Sequence, residues 1–295
     1  MKRLLETWTQ GRGAVNAWLS TPNAVIAEVT GEHGFDSVTI DLQHGLVDYP
    51  AALSMLQALR SSACTPMVRV PWLEPGIIMK CLDAGALGVI CPMVNTREDA
   101  EALIQYTHYA ARGTRSFGPT RAGYVYGGDY VANANASIMV MAMIETAEAY
   151  GNLADIVSTP DLDAVYIGPS DLSLSLGYEP KLDHDHPDVM KAIHTIMSAA
   201  HEAGIKAGIH CLSAAYAHQM LNDGFDLVTG FQAGTGLQMV MNTRKPPFDI
   251  LEFRRALLYG KNQTAINDLL FDGTYLTSSG PLNTCLLYTS PSPRD

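Results

Sequence analysis

Residues 138–145 read IMVMAMIE, seven apolar residues in succession followed by a carboxylate. A run of this length without alternation of apolar and polar residues predicts a strand that is buried on both faces. Strands buried on both faces are typical of parallel sheets, because helices cover each side of the sheet. The stretch therefore predicts an α/β protein built on a parallel sheet.

Seven further apolar runs predict strands at residues 14–19, 37–41, 67–70, 88–93, 164–167, 206–209 and 227–230. Most are separated by stretches with helical periodicity, at residues 24–32, 51–60, 75–84, 97–110, 147–157, 187–203 and 213–223. Eight strand–helix repeats within about 235 residues have the number and size of a (β/α)8 TIM barrel. A doubly wound open sheet is the alternative. It would normally carry a glycine-rich phosphate-binding turn after the first strand, where this chain has LSTP (19–22).

Charge and hydropathy exclude several classes of partner. The 295 residues include 19 Lys and Arg against 30 Asp and Glu, a formal net charge of −11. Such an acidic chain is a poor candidate for binding nucleic acid or anionic membranes through bulk charge. The apolar runs are too short to span a bilayer, and the start MKRLLE lacks a signal-peptide core. We therefore expect a cytoplasmic protein with neither a nucleic-acid nor a membrane partner.

The chain divides into a predicted barrel domain (residues 1–249), a C-terminal helical extension (250–284) and a final segment (285–295). Two interpretations of the extension stay open: a complete C-terminal helical tail, or one that is cut short. The final segment reads CLLYTSPSPRD and resembles translated sequencing-adapter sequence, so we expect it to take no part in the fold. Residues 112–136 are rich in Gly, Arg and Tyr and predict a long functional loop such as a lid. The four cysteines before residue 285 form no CxxC pair and predict buried thiols.

Polar side chains end several predicted strands, where the catalytic groups of a TIM barrel collect. They are His44 in DLQHG (41–45), Arg69, Glu145 and Asp171. A carboxylate at the end of a buried strand is costly unless it is paired or ligated. Glu145 and Asp171 therefore predict a site for an oxygen-liganded divalent cation. Simpler structural interpretations also stay open: a helix start for Glu145, a helix N-cap for Asp171 and a salt bridge for Arg69.

Other residues narrow the chemistry. None of the seven lysines is well placed at this rim for a Schiff base, which favours metal-assisted chemistry. Residues 183–187 (DHDHP) resemble a metal-binding tract, but they also read as a polar loop that leads into a helix. His210, after the seventh predicted strand, is a candidate supporting residue on the same rim.

At these residues the sequence resembles the HpcH/HpaI family of metal-dependent pyruvate aldolases. The similarity extends from about residue 14 to residue 236. The matching segments are IDLQHG (40–45), VRVPW (68–72), LDAGALGVICPMV (82–94), MIETAEAYGNLADI (143–156) and IGPSDLSLSLG (167–177). The resemblance implies a (β/α)8 barrel and a homo-oligomer, often a hexamer, in which a C-terminal helix is exchanged between subunits.

The resemblance also implies an activity, namely the reversible cleavage of a 4-hydroxy-2-oxoacid into pyruvate and an aldehyde through a pyruvate enolate. It assigns Glu145 and Asp171 as ligands of Mg, Mn or Co, and Arg69 as the residue that holds the enolate oxygen. Two further assignments complete the implied site. They are His44 as the acid–base residue with Asp83 as its partner, and the backbone of Gly168, Pro169 and Ser170 at the pyruvate carboxylate.

Three positions depart from the pattern of the family. Gln43 replaces a frequent Glu, Met143 replaces a frequent Gln, and Gly234 replaces a frequent Asp. These departures keep open a 2-oxoacid decarboxylase or a CoA-ester lyase of the same superfamily, for which arginines 112, 115 and 121 could meet the CoA phosphates. A barrel that binds a small acid without turnover is the non-enzymatic alternative.

Overall fold

The computed structural model describes residues 3–233 and residues 246, 250 and 253; for residues 230–233 it describes the backbone alone. Eight parallel strands form a closed barrel in which each strand pairs with the next along the chain and the last pairs with the first. They are β1 (Ala14–Leu19), β2 (Ser37–Asp41), β3 (Thr65–Arg69), β4 (Gly88–Cys91), β5 (Met139–Ile144), β6 (Ala164–Ile167), β7 (Lys206–His210) and β8 (Leu227–Ala233). The predicted (β/α)8 barrel is confirmed.

Helices surround this barrel and alternate with its strands. They are α1 (Arg3–Thr9), α2 (Ala24–Glu32), α3 (Tyr49–Ala58), α4 (Pro75–Asp83), α5 (Arg97–Thr107), α6 (Thr120–Tyr126), α7 (Tyr130–Ser137), α8 (Ala147–Gly151), α9 (Leu153–Val157), α10 (Pro169–Ser175), α11 (Pro187–Glu202) and α12 (Ala214–Asp223), with a 3-10 turn at Leu59–Ser61. Capping residues fix several starts, because a side-chain oxygen accepts the free N–H groups of a first turn. Asn23 caps α2, Glu74 caps α4, and Thr96 with Asp99 forms a capping box on α5.

The barrel interior is filled by large apolar side chains from opposite strands. Trp18, Met67, Met141 and Tyr166 belong to one cluster in which each is fully buried. The run 138–145 thus packs as core, and β5 is buried at all six positions. The predicted extension (250–284), the adapter-like segment (285–295) and Gly234 lie outside the described residues, apart from residues 250 and 253.

The long segment 112–136 differs from its prediction as a loop and lid. It contains α6 and most of α7, and it leads from α5 to β5, so it lies at the N-terminal ends of the strands. Arg121 in α6 anchors it there by donating to the carbonyl oxygens of Leu56 and Ala84. A segment at this end cannot cover the rim where active sites of such barrels lie. The glycines that indicated a loop instead lie next to short helices or, in the case of Gly123, inside α6.

The prediction that the four cysteines before residue 285 are buried thiols is confirmed. Cys64, Cys81, Cys91 and Cys211 are buried free thiols, and burial raises the pKa of Cys81 to about 12.

Among the helices in the described part of the chain, none has both the length and the apolar character needed to cross a bilayer.

Candidate active site

Glu145 is a buried carboxylate at the C-terminal end of β5, with only 2% of its surface exposed. Its Oε1 accepts a hydrogen bond of 2.8 Å from the backbone N–H of Met93. Met93 holds a left-handed backbone conformation (φ +56°) that is uncommon for a residue with a side chain. Burial, and then the nearby charge of Asp171, raise the pKa of Glu145 to about 7. Such a carboxylate gains from a cation beside it.

Asp171 lies in the first turn of α10, which follows β6 directly. The N-cap of α10 is Gly168, so the interpretation of Asp171 as an N-cap is wrong. Glu145 directly precedes Thr146, the N-cap of α8, as the helix-start interpretation has it, but the side chain that caps the helix is that of Thr146. The two carboxylates therefore come from adjacent strand ends and are not used in capping.

Gly168 leaves room for the second oxygen of Glu145. A Cβ atom at position 168 would lie 2.6 Å from Glu145 Oε2, closer than real contacts allow, and 3.1 Å from Met143 Cε, which is tight. Gly168, Pro169 and Ser170 form the turn into α10. The turn that the resemblance assigns to the pyruvate carboxylate thus lies directly against Glu145.

The donor set fits a divalent cation that binds oxygen. Within the described residues, Glu145 Oε2 accepts no hydrogen bond from the protein, and no group of three His, Cys, Asp or Glu side chains converges. Two carboxylates leave several coordination positions for water and substrate oxygens, as Mg2+ and Mn2+ commonly have in enzymes. Glu145 and Asp171 are the residues that would hold it.

Arg69 ends β3 and is fixed by the carboxylate that ends β2. Arg69 Nε donates to Asp41 Oδ1 at 2.8 Å, and Nη2 donates to Asp41 Oδ2 at 2.7 Å. The guanidinium carbon also lies 4.7 Å from the ring centroid of Trp18, whose indole N–H donates to the same carboxylate at 3.3 Å. The salt-bridge interpretation of Arg69 is thus confirmed. Its Nη1 has no hydrogen-bond partner among the described residues and is left to donate to a ligand.

Asp41, the last residue of β2, belongs to the candidate site, although no sequence pattern assigned it a role. Burial alone would raise its pKa, but the hydrogen bonds and positive charge of Arg69 outweigh this and lower the pKa. Asp41 Oδ1 also accepts the backbone N–H groups of Gln43 (3.0 Å) and His44 (3.3 Å). One carboxylate thus orients both Arg69 and the loop that carries His44. The signal in the sequence was a carboxylate at the end of an apolar strand.

His44 itself is exposed on the loop after β2. The turn is tight at Gly45, where a Cβ atom would lie 2.1 Å from the carbonyl oxygen of Asp41. His44 therefore stands at the outer edge of the rim, whereas Arg69 and Glu145 are recessed.

Asp83 is not brought to His44 within one chain. It is the last residue of α4, five residues before β4 begins, and thus lies at the opposite end of the barrel. There it accepts a hydrogen bond of 2.6 Å from Arg115, whose side chain is fully buried. Burial raises the pKa of Asp83 although Arg115 opposes that shift.

The same contacts correct the prediction of a basic surface for CoA phosphates. Arg115 is buried against Asp83, Arg121 donates to backbone carbonyls, and Arg112 pairs with Asp161 at 3.1 Å. All three lie on the segment at the N-terminal end of the barrel. They cannot form a phosphate-binding surface at the rim of their own barrel.

Two histidine predictions have clear outcomes. The loop interpretation of residues 183–187 is confirmed, because His186 caps α11 and His184 bonds the carbonyl oxygen of Glu179. His210 is buried at the rim end of β7, perpendicular to Trp18 with ring centroids 4.7 Å apart. Sequence analysis placed His210 on the rim but could not identify its buried neighbours.

Comparison with known proteins gives consistent results. The family model described as HpcH/HpaI aldolase/citrate lyase matches residues 15–238. A hydroxypyruvate/pyruvate aldolase of Rhizorhabdus wittichii is 42% identical over 78% of this chain and 91% of its own length. A 5-keto-4-deoxy-D-glucarate aldolase of Escherichia coli is 34% identical over 72% of this chain and 84% of its own.

A solved structure supports the same relationship. An HpcH/HpaI aldolase/citrate lyase family protein of Burkholderia cenocepacia has a TM-score of 0.71 and 30% sequence identity to this chain, covering 75% of it and 88% of that chain. The match of a family model to most of the barrel, with aldolases as relatives, settles the class of reaction. The chain belongs to the HpcH/HpaI aldolase/citrate lyase family and is a carbon–carbon lyase of the aldolase type.

Proposed function

We propose that the protein is a metal-dependent pyruvate aldolase, which cleaves a 4-hydroxy-2-oxoacid into pyruvate and an aldehyde and also catalyses the reverse reaction. The observation that carries this proposal is the buried carboxylate of Glu145 with the exposed Asp171 close enough to raise its pKa, at the same barrel rim as an arginine whose Nη1 has no partner among the described residues. The names of the two relatives, both aldolases of 2-oxoacids, support this substrate class.

The proposed reaction assigns a role to each of these residues. Glu145 and Asp171 would hold the cation (Mg, Mn or Co), and the turn 168–170 would bind the carboxylate of the 2-oxoacid. When bound, the cation would supply Lewis-acid stabilisation of negative charge on the substrate oxygens. Arg69 donates from Nη1 to the 2-oxo oxygen, which gains charge as the C3–C4 bond breaks. Asp41 holds the guanidinium in place for this step.

The proposal assigns proton transfer to His44, at the outer end of the substrate. It takes the proton of the 4-hydroxyl group as the aldehyde forms, and C3 of the enolate is then protonated to give pyruvate. Because Asp83 lies at the other end of the chain's own barrel, its partnership with His44 requires a second copy of the protein. We therefore retain the proposal of a homo-oligomer, with a hexamer as the form that the family resemblance implies.

Deuterium exchange at the methyl group of pyruvate tests the enolate site without knowledge of the aldehyde. NMR in D2O should show exchange with Mg2+ or Mn2+, its loss on addition of EDTA, and its absence in Glu145→Ala. A folded, metal-loaded protein that shows no exchange would exclude the aldolase proposal and direct attention to other reactions of the family.

A further inference from the structure

A chain of hydrogen bonds runs through the barrel interior to His210. Ser37 Oγ and Thr39 Oγ1 lie 2.8 and 3.0 Å from Asn16 Oδ1, and Asn16 Nδ2 lies 3.0 Å from Thr229 Oγ1. Tyr166 Oη lies 2.6 Å from Thr229 Oγ1 and 3.1 Å from His210 Nδ1. These groups are buried, so each hydroxyl hydrogen needs an acceptor within the chain.

That requirement fixes the direction of the first bonds. Ser37 and Thr39 have no other acceptor for their hydroxyl hydrogens among the described residues, so both donate to the amide oxygen of Asn16. The amide nitrogen of Asn16 is then the donor to Thr229. The opposite orientation of the amide would leave two buried hydroxyl hydrogens without a partner.

The direction of these hydrogen bonds also determines which nitrogen of His210 carries the hydrogen. Thr229 Oγ1 already accepts from Asn16, and within the described part of the chain its own hydrogen has only Tyr166 Oη to bond. Tyr166 must therefore donate its hydrogen to His210 Nδ1, which acts as the acceptor. An imidazole that accepts at Nδ1 carries its hydrogen at Nε2.

His210 is thereby a neutral donor. Burial, and then the positive charge of Arg69, lower its pKa to about 4. Its Nε2 forms no hydrogen bond with any described residue. The side chain thus presents one N–H group whose partner the protein does not supply.

His210 lies beside Arg69 at the rim of the proposed site. Each is the last residue of its strand, β7 and β3, and each lies 4.7 Å from the ring centroid of Trp18. The charge of Arg69 also acts on the pKa of His210, so we assign both side chains to one recess. His44, in contrast, is exposed at the outer edge. The recess holds the 2-oxoacid in the proposed function, whereas the aldehyde approaches from the outer edge.

We infer that His210 donates a hydrogen bond from Nε2 to a hydroxyl group on C3 of the bound 2-oxoacid, so that the site favours a 3-hydroxy-2-oxoacid over pyruvate as the nucleophile. This inference rests on the proposed function. Pyruvate has only a methyl group at C3, which would leave the N–H of Nε2 without an acceptor on the substrate. A C3 hydroxyl group supplies that acceptor and is neutral, as the imidazole is.

The first test measures the tautomer without any substrate. In 15N-labelled protein, the long-range 1H–15N correlations of the His210 ring should show the neutral form with hydrogen on Nε2 from pH 5.5 to 8.5. In Tyr166→Phe, whose ring keeps its shape, Nδ1 should lose its bond and the population of the two tautomers should change. A neutral ring with hydrogen on Nδ1, or a charged ring in this range, would overturn the inference.

The second test compares two nucleophiles. Metal-dependent deuterium exchange at C3 is followed for hydroxypyruvate and pyruvate after subtraction of the enzyme-free rates, and the ratio of their kcat/KM values is taken. His210→Phe should lower this ratio about tenfold, the worth of one hydrogen bond. His210→Gln, which can place an amide N–H near the position of Nε2, should keep the ratio within about threefold.

The outcomes separate the two proposals. No exchange of either compound by the folded wild-type protein would refute the proposed function itself. Exchange of both compounds with an equal ratio in all three proteins would refute only the role of His210. If His210→Gln and His210→Phe lowered the ratio equally, the shape of the ring rather than its N–H group would set the preference, and the inference would also be wrong. Thermal melting confirms that each variant is folded.

Discussion

Asp41 takes the N–H of Nε and one N–H of Nη2, so Nη1 is the guanidinium nitrogen of Arg69 that bonds no described residue. If Nη1 stabilises the developing enolate, Arg69→Ala should lower kcat by about 100- to 1,000-fold, as loss of one preorganised oxyanion donor does elsewhere. Steady-state cleavage of a 4-hydroxy-2-oxoacid measures this. An unchanged kcat in a folded Arg69→Ala variant would remove Arg69 from the reaction.

Glu145 should make the metal-free protein less stable at high pH. Its pKa is raised to about 7 in the folded chain, so the stability that its proton supports is fully present below the ordinary pKa near 4.5 and is lost as the pH rises through 7. Relative to Glu145→Gln, which has no ionisation at this position, the wild type should lose about 2 to 3 kcal/mol of unfolding free energy between pH 5 and pH 8.

Urea unfolding of both proteins in EDTA measures this difference. Saturating Mn2+ at pH 8 should restore stability to the wild type and much less to Glu145→Gln. A constant difference between the two proteins across the pH range would contradict the shifted ionisation of Glu145.

At the scale of residues, sequence reasoning found the groups that end strands and missed the groups that hold them. Glu145, Asp171 and Arg69 stand out because a charged side chain beside a buried apolar run is costly unless it has a partner or a ligand. Asp41 and Tyr166 act through partners 28 and 44 residues away along the chain. No local sequence pattern predicts such pairs, because the two residues come into contact only when the barrel forms.

Helices α6 and α7 form an anchored element at the N-terminal end of the barrel, and Arg121 is its main attachment. Arg121→Ala removes two charge-assisted hydrogen bonds to the carbonyl oxygens of Leu56 and Ala84. It should lower the unfolding free energy by about 2 kcal/mol while pyruvate exchange by the folded protein is kept, because the site lies at the other end.

Arg112→Ala is the matched control on the same segment. Its ion pair with Asp161 is largely exposed, so its loss should change stability by less than about 1 kcal/mol. If Arg121→Ala abolished exchange in a folded protein, this end of the barrel would have to contribute to a site, either that of its own chain or, through Asp83, that of another copy.

The elements themselves were largely predictable where local signals agree. The bounds of β1, β2, β6 and α2 match the predicted ones, because clear apolar runs and caps coincide there. The prediction of a loop at residues 112–136 was wrong because the segment, rich in glycine and tyrosine, shows no clear apolar periodicity. Its helices form through tertiary contacts, such as those of Arg121 and of Tyr126 with the carbonyl oxygen of Gly85.

For the whole molecule, the distance between Asp83 and His44 has a direct test. If Asp83 of one copy serves His44 of another, a mixed assembly of Asp83→Ala and His44→Ala subunits should contain some complete sites. Co-expression of the two inactive variants with different affinity tags should then recover aldolase activity in the doubly purified fraction. No activity in a confirmed mixed assembly would leave Asp83 with its structural contact to Arg115 alone.

Closure of the barrel also determines how long its first strand waits for a partner during synthesis. Ala14 at the start of β1 pairs with Leu227 at the start of β8, so one flank of the first strand stays open until almost the whole barrel has been synthesised. At ~5–20 residues per second, a ribosome needs on the order of 10–40 s to pass from one strand to the other. Throughout that interval the nascent chain exposes an apolar, unpaired edge, which is the kind of surface that chaperones bind and that aggregates form on.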